Sequence, residues 1–194
     1  MSGAPWFVGI DFQRVFGDPS SPWCAPRYAA AAGAARRLAD AHPGRTVLTR
    51  FVAPAEPAGA WRPYYEDFPW ALVGDDDPLY ALTDDLADPS ADRSTVPSTG
   101  GVTSAEVVTA STFGKWDVLR PVVGEHPHLV VAGVATDCCV ISTVLAAADA
   151  GASVTVVTDA CAGSSDANHA KALDLMALYA PLVRLATTAE VLAG

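Results

Sequence analysis

From Leu129 to Val144 the chain reads Leu-Val-Val-Ala-Gly-Val-Ala-Thr-Asp-Cys-Cys-Val-Ile-Ser-Thr-Val, and this stretch constrains the fold most. It starts as an apolar run short enough for a buried strand and breaks between Gly133 and Asp137. It then resumes as a helix former through Leu145 and Ala146. That is a strand running into the first turn of a helix. The same change of pattern recurs along the chain. Strands are expected over 6–10, 46–52, 105–110, 129–134, 153–158 and 182–186. Helices are expected over 27–41, 115–123, 138–150 and 166–179, with a last helical turn over 188–192 capped by Thr188. The stretches 12–26, 53–77 and 88–101 read as loops, and 79–86 as either a short helix or a strand.

Strands alternating with helices give a sheet covered on both faces. The expectation is therefore α/β: a three-layer α-β-α sandwich around a mostly parallel six-stranded sheet. No linker or internal repeat divides the 194 residues, so one domain is expected. Ligands of such sheets bind at the carboxyl ends of the strands. Asp11, Arg50, the 110–115 loop, the Cys138–Cys139 turn and Asp159 all fall at that edge.

Composition narrows the function. The net charge is −10 and no basic patch stands out, which argues against nucleic acid or an anionic membrane surface as partner. The first residues carry no cationic segment, Asp11 interrupts their apolar run, and no apolar run is long enough to cross a bilayer. The four cysteines include no Cys-x-x-Cys pair. A reduced, cytoplasmic protein without a cofactor is expected.

A thiol at a helix start has a chemical advantage. The first N–H groups of a helix lack intrahelical partners, and the dipole there favours negative charge. Cysteine in such a place tends toward a lowered pKa and thiolate character. With Asp137 as N-cap, Cys138 and Cys139 open the helix and point about 100° apart, so that one sulfur faces a pocket and the other the sheet. The bland alternative is two small buried apolar side chains. For Asp11 it is a loop or capping carboxylate.

Gly133-Val-Ala-Thr-Asp-Cys-Cys-Val140 resembles the nucleophile turn of the isochorismatase-like cysteine hydrolases, Gly-Val-x-Thr-x-x-Cys-Val. Ile10-Asp-Phe-Gln-x-x-Phe16 resembles the first motif of that superfamily, and Val157-Thr-Asp-Ala-Cys161 the segment after its next strand. The resemblance implies Cys139 as nucleophile, Asp11 as general base and an oxyanion hole from the N–H groups of Ala135 and Cys139. It also implies a cis Val134–Ala135 peptide, a small-molecule substrate and a homodimer or homotetramer. The lysine of the family pattern falls on Ala110. Of the chain's two lysines, Lys115 lies on the matching loop and Lys171 in a late helix. Lys115 is the candidate cation, with Arg50 as substitute or no cation at all as alternatives.

The nicotinamidase branch of that superfamily carries metal-binding histidines after the second strand. Here that segment reads Thr49-Arg-Phe-Val-Ala-Pro54, so no metal is expected. His126, His128 and His169 read as structural. The aromatic stretch 61–70 is expected to roof the site, with Arg50, Trp61 and Tyr65 as candidate substrate contacts. The expected activity is hydrolysis of an amide or carbamoyl C–N bond through a thioester. The alternatives are a catalytically impaired binding homologue, a vinyl ether hydrolase of the isochorismatase type, or a thiol sensor.

Overall fold

Among the described residues six strands build one sheet, all of them parallel. They are β1 (Trp6–Ile10), β2 (Thr46–Phe51), β3 (Glu106–Ala110), β4 (His128–Val134), β5 (Ser153–Ala162) and β6 (Val183–Ala186), in the spatial order β3-β2-β1-β4-β5-β6. The structure is a computed structural model that describes residues 3–86 and 105–194; the loop expected over 88–101 lies outside them. The helices are α1 (Arg14–Gly17), α2 (Tyr28–Ala41), α3 (Trp61–Asp67), α4 (Trp116–Val123), α5 (Ile141–Asp149), α6 (Asp166–Ala177) and α7 (Thr188–Leu192).

Successive strand residues point to opposite faces, and this sorts the core into two layers. Phe7, Leu48, Val130 and Ala132 pack on the α2 side, where Ala31, Ala35 and Leu38 let the helix approach closely. Val8, Val47, Leu129 and Val131 pack on the side of α4, α5 and α6 against Leu119, Val144 and Met176. Each fully buried side chain of Val or Leu size stabilises by about 1.5–3 kcal/mol. The result is the α-β-α sandwich.

The sheet order reverses between β1 and β4. The chain leaves β1 toward β2 and later returns to β4 on the other side, so the loops after β1 and β4 diverge and open a crevice. Gly133 allows the two strand ends to close up. It pairs with Ile10, has φ 153°, and a Cβ there would stand 2.6 Å from both Ile10 Cβ and Ile10 O. Gln13 holds the next stretch: its amide donates to Phe51 O (2.9 Å) and Tyr80 O (2.8 Å) and accepts from Phe51 N–H (2.7 Å).

Several local expectations need correcting. The 12–26 loop contains α1, and the 53–77 loop contains α3 and a 3-10 turn at Pro69–Ala71. The undecided 79–86 stretch overlaps a 3-10 turn at Pro78–Tyr80 and pairs with Gln13 through a single bridge at Leu82. Tertiary hydrogen bonds such as those of Gln13, rather than sequence period, hold these short pieces. β5 runs on to Ala162, past its expected end. Asp159 therefore does not reach the ligand edge; it accepts from Thr188 N–H (2.7 Å) and Oγ1 (2.9 Å). Thr187, not Thr188, caps α7, in a capping box with Glu190. Among the described residues no helix is long and apolar enough to cross a membrane.

Candidate active site

Asp11 follows β1 directly and adopts a left-handed backbone, φ 54°, which an aspartate tolerates better than most side chains. Thr49 of β2 locks it there. The Asp11 N–H donates to Thr49 Oγ1 (3.2 Å), and Thr49 Oγ1 donates back to Asp11 Oδ1 (2.6 Å). The second carboxylate oxygen, Oδ2, is buried and receives no hydrogen bond. Its companion is an ion pair: Lys115 Nζ lies 3.1 Å away, and both side chains are 0% exposed.

Lys115 stands at the N-cap position of α4, on the loop that descends from β3. Its ammonium donates to Thr112 O (2.6 Å) and sits 4.9 Å from the centre of the Phe51 ring. Its own N–H donates to Thr143 Oγ1 (3.0 Å), which donates in turn to Cys139 O (2.7 Å). One hydroxyl thus ties the cation-bearing loop to the cysteine turn. Arg50, the alternative cation, points elsewhere: its guanidinium donates to Tyr80 O (3.2 Å) and Asp75 O (2.6 Å). Ala110 ends β3 opposite Phe51, and Lys171 is exposed on α6.

The cysteine turn, Thr136–Val140, is a π-turn leading into α5. Such wide turns recur at functional sites. The Val134–Ala135 peptide before it is cis. Ala135, not Asp137, occupies the N-cap position; its carbonyl accepts from Cys138 N–H (3.0 Å) and Val140 N–H (3.2 Å). Asp137 projects outward from the turn and accepts from Ser164 N–H (2.8 Å) and Ser164 Oγ (2.6 Å). His169 of α6 braces the turn from the same side, with Nδ1 2.8 Å from Thr136 Oγ1.

Cys139 is 3% exposed and Cys138 half-buried, and all four cysteines are free. The thiols do not divide between pocket and sheet as expected on an α-helix; both line the cavity above the turn. Nor is Cys139 a resting thiolate. Burial pushes its pKa well above the ordinary thiol range, and the adjacent Asp11 carboxylate pushes the same way; the Lys115 ammonium opposes them. The advantage of a helix start is outweighed by desolvation beside an anion. Iodoacetamide should therefore alkylate Cys139 more slowly than glutathione at pH 7. Its rate should still be rising with pH above about 9.5, where an ordinary thiol of pKa about 8.5 has levelled off. A plateau below pH 7, read by peptide mass spectrometry, would contradict this assignment.

The cavity measures about 160 Å³ and is walled by the rings of Phe16, Trp23, Phe51, Tyr64 and Phe113. Trp23 is its keystone, with ring centres 4.6 Å from Trp70 and 5.4 Å from Phe68. Of the expected substrate contacts, none reaches the cavity wall. Trp61 stands behind it, 5.1 Å from Phe113 and 5.2 Å from Tyr64, and Tyr65 is buried against Trp61. On α3 adjacent residues turn about 100° apart, so Tyr64 faces the cavity and Tyr65 the core. The density of rings over 61–70 signalled the wall but not its inner members.

Among the described residues no group of three or more His, Cys, Asp or Glu is placed to hold an ion. The end of β2 offers only Phe51, Val52 and Ala53, which carry no donor side chain.

Solved structures share this architecture. An isochorismatase family protein from Desulfovibrio vulgaris superposes with a TM-score of 0.73 at 20% identity, covering 99% of this chain and 100% of that one. A cysteine hydrolase from Pseudomonas syringae pv. phaseolicola gives 0.72 at 20% identity, with 97% and 91% covered. A pyrazinamidase of Pyrococcus horikoshii in complex with zinc gives 0.68 at 17% identity, with 95% and 99% covered. At these identities the likeness concerns the fold. Curated proteins offer no match. The profile of the isochorismatase domain matches residues 5–190, nearly the whole chain, and the protein belongs to the isochorismatase family.

Proposed function

We propose that the protein is a cysteine-nucleophile hydrolase of a small-molecule amide or carbamoyl C–N bond. One observation carries this reading. Three segments far apart in sequence bring a buried Asp11–Lys115 pair against Cys139, under a cavity that Cys139 itself lines.

The steps follow from the charges. At rest burial and the adjacent carboxylate favour the neutral thiol, and the buried Asp11 carboxylate stands beside it. When a carbonyl carbon enters the cavity, Asp11 takes the thiol proton and sulfur attacks the carbon. The N–H groups of Ala135 and Cys139, both on the cavity wall, receive the oxyanion. As the tetrahedral centre collapses, the C–N bond breaks and Asp11 returns the proton to the leaving nitrogen. A thioester remains on Cys139. Water then attacks it, Asp11 accepts the water proton, and the sulfur leaves and is reprotonated. Lys115 does not line the cavity. It acts through Asp11, holding the carboxylate in place and balancing its charge.

An impaired homologue was suggested by the missing lysine at 110; an ammonium 3.1 Å from Asp11 removes that motive. The vinyl ether reaction needs no thiol and leaves Cys139 without a role. Acid quenching during turnover of an amide substrate is expected to trap an acyl adduct on the peptide bearing Cys139. Turnover with that peptide unmodified, and with full rate in Cys139→Ala, would refute the thioester route.

A further inference from the structure

The cavity over Cys139 holds about 160 Å³, and its described lining residues carry no charged side chain. We infer that the acyl group it takes is neutral, apolar and about as large as one six-membered ring. This deepens the hydrolase reading and rests on it.

Size comes first. An apolar protein cavity of about 150 Å³ stays dry and accepts a benzene-sized guest. The cavity here is comparable, at about 160 Å³. Five aromatic rings line it, together with Pro22. Flat rings packed edge to face favour a flat or cyclic guest. An acetyl or carbamoyl group would leave much of that wall without contacts, and unfilled apolar space forfeits dispersion.

Charge comes second. Among the described residues, no Lys, Arg, Asp or Glu side chain lines the cavity. Among the described residues, the cations nearest the site are committed elsewhere. Lys115 is fully buried against Asp11 and Thr112 O. Arg50 is turned to Tyr80 O and Asp75 O, and Arg62 to Pro57 O. Arg14 lines a second recess, which shares Pro22 with the first and places Asp18 and Asp77 beside it. The polar atoms on the wall are neutral and few. Ser164 Oγ already donates to Asp137 and accepts from Asn168 Nδ2 (3.0 Å). The Tyr64 phenol is pushed up to about 12 by burial, so it stays un-ionised at neutral pH. A carboxylate on the acyl group would lose its hydration without gaining a counter-ion, which disfavours it strongly.

The test varies the acyl group and keeps the leaving group constant. Ammonia release is measured from benzamide, cyclohexanecarboxamide, acetamide and succinamate, with Cys139→Ala as the blank. Benzamide and cyclohexanecarboxamide should exceed succinamate and acetamide in kcat/KM by about 100-fold or more. In parallel, p-nitrophenyl acetate, a small activated ester, is used to acylate Cys139, followed by peptide mass. If Cys139 acylates but ring amides are not preferred, or are not turned over, the acyl-group inference falls and the thiol mechanism stands. If Cys139 never acylates and no amide is hydrolysed, the hydrolase reading falls and takes the inference with it.

Discussion

Replacing Cys139 by serine is expected to lower kcat/KM on an amide substrate by about 10⁴-fold or more, with the fold intact. Serine is nearly isosteric, and the side chain it replaces is 3% exposed, so the packing of the turn should change little. The loss comes from chemistry. A thiol whose pKa is raised by burial and by Asp11 is still far easier to deprotonate than an alcohol in the same place, and sulfur is the softer, stronger nucleophile. The environment that keeps Cys139 neutral at rest therefore penalises serine more heavily. Cys138→Ser is the control. Cys138 lines the same cavity but is half-buried and has Asp137, not Asp11, as its charged neighbour. Its replacement should leave kcat within a few-fold, with any change in KM. Equal losses from the two substitutions would mean that the two thiols act together and that the assignment of Cys139 alone is wrong.

The physical origin of each feature decides how much of it was legible in the sequence. β1 and β4 were readable because each is an apolar run stopped abruptly, at Asp11 and at the Gly133 turn. Asp11 and Cys139 were readable because their neighbours form dense motifs at strand ends, where a parallel sheet gathers its loops. Lys115 was readable as a candidate only. Whether its ammonium reaches Asp11 depends on the path from β3 into α4 and on the Thr143 bridge to Cys139, which no linear spacing encodes. Trp61, Tyr64 and Tyr65 lie on α3, which spans seven residues with Pro63 inside it, too short for any period to tell the cavity-facing Tyr64 from the core-facing Tyr65. Trp23 comes from an irregular segment rich in proline, and only its stacking on Trp70 and Phe68 makes it a wall of the site. The raised thiol pKa is illegible for a related reason: a helix start contributes its dipole and N–H groups, whereas the depth of Cys139 and the carboxylate beside it belong to the tertiary structure.

The buried pair provides the sharpest separation of stability from catalysis. Lys115→Met keeps an unbranched side chain of similar length and removes the charge. Asp11 would then be a carboxylate with 0% exposure, held by Thr49 on one oxygen and left with the neutral Cys139 thiol in place of its cation. Breaking a buried ion pair from one side costs about 3–5 kcal/mol, which for a chain of this length lowers Tm by roughly 6–20 °C. Activity should fall as well, because the carboxylate loses the group that fixes its orientation toward the thiol. Adding Asp11→Asn to Lys115→Met removes the stranded charge. The double variant should regain at least half of the lost Tm, since a neutral pair needs no compensating cation, but it has no base and should remain inactive. Stability recovered without activity is the signature of a charge pair retained for its chemistry. If Lys115→Met alone matches the wild type in Tm and turnover, the ammonium does not support Asp11. If the double variant is less stable than Lys115→Met, the loss came from packing around the lysine stem over Phe51 and not from the unpaired carboxylate.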